Sequence, residues 1–248
     1  MKRKFFILWL AGIVGTAAVL PYAFTLQHDV IAKVTVPFPL IVLASIAQTA
    51  VLLAIAIFFG QKLSSSLRLT TLALCESTGS IKEKLPGMAR LAIPWGAASA
   101  VAIALVDMLF APFTPQLTVT TAHVAVWKTL LASLYGGTVE EILLRLFVMT
   151  LIAWILGKIF RSKEPAKNNL IMWTAITLAA IIFGLGHLPV TSALTAVTPI
   201  VVLRAVVLNG IAGLVFGWLF WKKGLETAFI AHFTADIILL TVIPAIFK

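Results

Sequence analysis

The chain has 248 residues, 61% of them hydrophobic and only 11% charged, with a formal net charge of +10. A soluble domain is roughly 45–50% apolar and about 25% charged. With a mean hydropathy of +1.08, this balance excludes a water-soluble globule and indicates an all-α, polytopic membrane protein. The basic residues fall between apolar segments, so they read as topology and contact with membrane lipids rather than as a nucleic-acid surface. Cys75 is the only cysteine, which excludes an intrachain disulfide or a Cys-based zinc site.

In chain order, Met1-Lys2-Arg3-Lys4 followed by Phe5–Leu20 has the charge and apolar pattern of a signal peptide. The apolar character continues to Leu26 without a small-x-small cleavage site, so an uncleaved first span is expected. Spans of about 20 apolar residues are expected at 5–26, 38–60, 91–111, 138–158, 169–188, 200–221 and 225–246. Residues 61–90, with Gly79, Pro86, Gly87 and several charges, read as an amphipathic or interfacial loop. Residues 117–135 carry His123 and Lys128 and are set off by Gly136-Gly137, which suggests an interfacial or re-entrant segment. No internal repeat or second domain is visible, so 1–248 reads as one integral membrane domain.

The positive-inside rule supports seven spans. With a cytoplasmic N-terminus, one side collects Lys2, Arg3, Lys4, Lys62, Arg68, Lys82, Lys84, Arg90, Lys158, Arg161, Lys163, Lys167, Lys222 and Lys223. An eighth span at 117–135 would move the 158–167 cluster to the other side. A cell membrane is the expected location.

Polar residues interrupt the last four predicted spans. Burying a carboxylate in lipid costs on the order of 2.5–3.5 kcal/mol on insertion scales, so these interruptions need a purpose. Glu141 and Arg145 are i,i+4 and can pair on one face, whereas Glu140 lies about 100° further round and stays free to act as a general base. Phe183-Gly-Leu-Gly-His187 places a histidine after two glycines that allow close helix approach. His232 and Asp236 are again i,i+4, so the carboxylate can orient the imidazole or share a metal ion with it. Asp107 and Arg204 also sit in or near spans, and a mutual pair is open to them; no catalytic role is assigned to either.

Glu140, His187, His232 and Asp236 could hold zinc with an open position for water, though the chain lacks His-Glu-x-x-His. The same groups could work without metal, with Glu140 and His187 activating water and His232 stabilising an oxyanion. Asp236 tips the balance toward a divalent metal, because an ionised carboxylate cannot donate a hydrogen bond to an oxyanion.

The pattern Glu140-Glu141-x-x-x-Arg145, Phe183-x-x-x-His187 and His232-x-x-x-Asp236 resembles that of the CPBP intramembrane proteases. That family includes type II CAAX prenyl endopeptidases and the bacteriocin-processing or self-immunity (Abi) proteins. The likeness covers roughly 125–245, and the helix from Asn209 through Gly210, Gly213 and Gly217 also looks like the family's. Leu144 stands where the family often has Phe. The resemblance implies an endopeptidase acting on membrane-associated or lipidated peptides through a glutamate-activated water, with Glu140, His187, His232 and Asp236 as its catalytic set; Glu141 and Arg145 complete the site as the pair that holds the helix, and the donor chemistry adds a divalent metal, zinc by type. It implies nothing for 1–124 beyond membrane spans.

A silent immunity or binding protein of the same fold is the alternative, and a small-solute transporter is a weaker one, since no inverted repeat is visible. Peptide or lipidated-protein substrates and membrane lipids are the expected partners, with no nucleic acid. One mismatch stands out in the predicted spans. Glu140 and His187 fall near one end of their helices, while His232 lies only ~12 Å from the opposite end of its own.

Overall fold

The computed structural model describes residues 2–71, 81–120 and 124–246. Among these, seven helices are long and apolar enough to cross a membrane: α1 (Lys2–Leu26), α2 (Phe38–Leu67), α3 (Glu83–Phe113), α4 (Val126–Ile159), α5 (Asn169–Ser192), α6 (Pro199–Lys223) and α7 (Leu225–Ile246). No strand occurs among the described residues. A bilayer core offers the backbone no water, so helices that satisfy their own N–H and C=O groups are the available solution.

Local sequence sets several boundaries. Pro199 opens α6, where its missing N–H costs nothing. The Asn168 side chain caps α5 by accepting from the amides of Leu170 (3.0 Å) and Ile171 (3.3 Å). Gly224, at φ +101°, is the single residue between α6 and α7, a left-handed position that suits glycine alone. This tight turn lays α7 directly back along α6.

The loop expected over 61–90 is instead helical at both ends. Residues 61–67 extend α2, and 81–90 fall in the helix that becomes α3; 72–80 lie outside the described residues. At ~1.5 Å per residue the 30 residues of α2 reach ~45 Å, beyond the ~30 Å hydrocarbon core. The polar ends of long helices therefore project past the apolar layer, or the helices tilt. Likewise 126–135 is no separate interfacial segment but the first part of α4, continuous through Gly136-Gly137. Lys128 is accommodated there by placing its ammonium at the helix end, where it donates to Thr25 Oγ1 at 2.7 Å. His123 lies outside the described residues.

Buried side chains from α2 (Leu53, Ile57), α4 (Ile142, Leu146, Met149), α5 (Met172, Ile176), α6 (Phe216, Phe220) and α7 (Ala228, Ala231) form one core. The outward faces are apolar instead of polar: Leu109 is 71% exposed, Met108 69% and Leu43 62%. Such a surface is stable only against lipid. One end of the bundle gathers Arg68, Glu164 and Lys167, with Lys167 Nζ 2.8 Å from Glu164. The Lys167 hydrogen bond holds that exposed carboxyl below the usual carboxylate range. At the other end Lys128 meets Thr25 and Thr129 meets Thr241. Asp107 and Arg204 do pair, bidentately at 2.7 and 2.9 Å, and join α3 to α6.

Helices α5 and α6 approach through small residues. A Cβ on Gly213 would lie 2.6 Å from that of Ala180, and one on Gly184 would lie 2.5 Å from the Val206 Cα, whereas Gly186 and Gly210 face nothing within 4 Å. Gly213→Leu should therefore lower unfolding stability by about 1–3 kcal/mol through overpacking, while Gly210→Leu leaves it nearly unchanged. Thermal unfolding of the detergent-solubilised pair measures the difference.

Candidate active site

The site is built on a stretch of α4 whose backbone departs from α-helical register. Gly136–Glu140 and Ile142–Met149 are π-helical, with widened i→i+5 turns, and Thr150 Oγ1 donates to the Arg145 carbonyl at 2.9 Å. π-turns are rare and frequent at functional sites. Here they set the directions in which Glu140, Glu141 and Arg145 leave the helix.

Glu141 and Arg145 are wholly buried, 0% and 1% exposed, with Arg145 Nη2 3.3 Å from Glu141 Oε1. The guanidinium makes no hydrogen bond among the described residues. It is held by charge and by the faces of Phe183 and Phe216, whose ring centres lie 5.3 and 5.9 Å away. The same Glu141 Oε1 is 2.9 Å from His232 Nδ1. Glu141 therefore serves two partners, a role that spacing along one helix does not show.

His232 enters from α7. Its ring stacks on Phe216, with centres 4.7 Å apart at 30°, and meets Phe183 edge-on. Its Nε2 lies 3.5 Å from Glu140 Oε2 and 3.6 Å from Asp236 Oδ1. Asp236 thus stands beside Nε2, while the Nδ1 partner is Glu141. From α5, His187 Nδ1 donates to the Phe183 carbonyl at 2.9 Å, because a carbonyl only accepts. That leaves His187 Nε2 facing Glu140 Oε1 at 3.9 Å.

Glu140, His187, His232 and Asp236 are brought together, with one Glu140 oxygen toward each histidine. Their exposures divide the site: Glu140 is 19% exposed, Asp236 20% and His187 37%, against 5% for His232 and 0% for Glu141. The open groups can reach water and substrate. The closed ones support them.

The mismatch of depths disappears because α4 begins at Val126 instead of 138, which puts Glu140 well inside its helix. Gly136 completes the fit: a Cβ there would collide with the Asp236 carboxylate and crowd His232 Nε2. The Gly136-Gly137 pair was visible in sequence as a separator, but its use as a seat for α7 depends on the partner helix. Phe216 and the two tyrosines were also not singled out by sequence. Tyr22 lies on α1 and Tyr135 on α4, one residue before Gly136. Those are the chain's only two tyrosines.

The donor set is of zinc type, two imidazoles and two carboxylates. Its placement is a string of pairwise contacts centred on Glu140, and among the described residues no three His, Cys, Asp or Glu side chains are gathered as a ligand group. The residues as placed do not make a ready cage.

Residues 121–238 match the family model described as Rce1-like, type II CAAX prenyl endopeptidase Rce1-like. No curated protein and no solved structure matches the chain. The matched stretch contains all six residues of the site and leaves α1, α2 and α3 entirely outside it.

Removing one member of the buried charge pair leaves the other uncompensated. Glu141→Ala should cost about 3–5 kcal/mol of stability, and adding Arg145→Met should restore most of it. Unfolding of the single and double variants checks this coupling.

Proposed function

We propose that this chain, a member of the Rce1-like type II CAAX prenyl endopeptidase family through residues 121–238, hydrolyses peptide bonds of membrane-associated or lipidated peptides with a water activated by Glu140. The observation that supports this best is the position of the Glu140 carboxylate, 3.9 Å from one histidine and 3.5 Å from another and open enough to meet water. A general base needs a carboxylate that is placed but not consumed by an ion pair. Glu141, committed to Arg145 and His232, is not free for that task.

In this reading a water between Glu140 and His187 gives its proton to Glu140 as its oxygen attacks the peptide carbonyl. The carbonyl becomes an oxyanion. A His232 ring protonated on both nitrogens donates Nδ1–H to Glu141 and offers Nε2–H to the oxyanion. Glu140 then delivers its proton to the departing amine as the C–N bond breaks. Phe216 and Phe183 hold the His232 plane.

As the alternative to that proton arrangement we propose a divalent metal, zinc by donor type, held by Glu140, His187, His232 and Asp236; His232 would then offer it an unprotonated Nε2 in place of an Nε2–H to the oxyanion, and the metal would supply a Lewis acid. The donor chemistry supports this, and the side chains would have to draw together to form the ligand set. The basic cluster at one end of the bundle supports a cell-membrane orientation with the N-terminus cytoplasmic.

Glu140→Ala and His187→Ala should each lower cleavage of a membrane-anchored peptide by about 10²–10⁴-fold while the proteins still insert and unfold cooperatively. Full cleavage by Glu140→Ala ends the proposal. Elemental analysis tests the metal separately: about one zinc per chain is expected on the basis of a four-donor site, lost in His232→Ala. An active, metal-free enzyme rejects that part alone.

A further inference from the structure

An apolar groove of about 750 Å³ opens at the end of the bundle opposite the basic cluster, between α1, the start of α2 and the start of α4. Leu20 and Phe24 of α1, Phe38 and Val42 of α2, and Trp127 of α4 form its walls. Lys128 stands on its rim, its Nζ donating to Thr25 Oγ1 at 2.7 Å and lying 5.5 Å from the centre of the Trp127 ring. Among the described residues Lys128 has no acidic partner. Asp29, four residues after Thr25, is 3.2 Å from His28 Nδ1.

The groove is separate from the catalytic centre. On α1 its lining recurs at Ala17, Leu20, Pro21 and Phe24. The face of α1 that packs on the catalytic helix runs instead through Gly15, which abuts Leu134, Thr138 and Val139. At 100° per residue the two stripes are on opposite sides of α1. The groove therefore opens toward the bilayer, away from Glu140.

Its depth also fits a lipid. Leu26, Phe38 and Val126 are helix ends, so Thr25, Trp127 and Lys128 share one end of the bundle, and a tryptophan beside a lysine is the pairing favoured at a membrane interface. We propose that this groove holds one anionic phospholipid, its acyl chain along Leu20, Phe24 and Val42 and its phosphate on Lys128. An ammonium with no acidic partner among the described residues, set above an apolar slot, complements a net-negative headgroup. A zwitterionic headgroup would bring its own cation against Lys128 and is disfavoured. The bound lipid would fill the seam that joins α1 and α2 to the outer part of α4.

The test needs no peptide cleavage, so it is independent of the proposed hydrolysis. Full-length protein is reconstituted in vesicles of phosphatidylcholine and phosphatidylglycerol, extracted into mild detergent and weighed by native mass spectrometry. Wild type should retain one phosphatidylglycerol in preference to phosphatidylcholine. Lys128→Gln should lower that retention at least tenfold, and Val42→Trp, which fills the slot, should do the same, with helix content by circular dichroism unchanged. Equal retention of the two lipids, retention unaffected by Lys128→Gln, or no retained lipid in wild type overturns the proposal. Should Val42→Trp fail to fold, the Lys128→Gln comparison decides alone.

Discussion

A carboxylate and a guanidinium buried 3.3 Å apart in a lipid-facing bundle constrain everything around them. Neither Glu141 nor Arg145 can reach water, and each makes the other tolerable. The pair recruits a third member, His232, through the same Glu141 oxygen, and two aromatic rings enclose the guanidinium. Four helices are thereby tied at one point: α4 by the pair, α5 by Phe183, α6 by Phe216 and α7 by His232. A buried ion pair is weak evidence for net stability, since apolar packing can replace it. What it supplies here is placement, because this constellation fixes how α7 meets α4.

That placement explains why two adjacent glutamates can take different parts. Glu140 is 19% exposed and touches two imidazoles, whereas Glu141 is sealed. The π-turns on either side of Glu141 widen the helix there, and Gly136 lets the Asp236 carboxylate sit where any side chain would collide. A rare backbone conformation and an unoccupied Cβ position thus fall within one short stretch. Both cost some helix stability, and both serve the four open side chains of the site.

Much of this was legible in the sequence because lipid makes polarity expensive. The seven spans follow from apolar length, and Glu140, Glu141, Arg145, His187, His232 and Asp236 stand out because each is costly to bury. The Asp107–Arg204 pair was open to anticipation for the same reason. Boundaries were less legible: 126–135 and 61–67 look too polar or too broken for a span, yet helices longer than the bilayer simply continue through them. The Glu141–His232 bond was not legible at all, since it joins residues 91 apart and competes with the nearer Asp236. Nor does sequence show that Gly136 seats α7 instead of ending a helix. Those features belong to the meeting of two helices, and neither helix alone encodes them visibly.

In the proposed function Glu140 is the base, while Glu141 is bound to Arg145 and His232. The most direct measurement sets Glu140→Gln beside Glu141→Gln in single-turnover cleavage of a membrane-anchored peptide, with thermal unfolding of both. Glu140→Gln should lose cleavage and keep the wild-type melting temperature, while Glu141→Gln should lose stability as its bonds to Arg145 and His232 weaken. A Glu140→Gln protein that still cleaves at the wild-type rate contradicts the account.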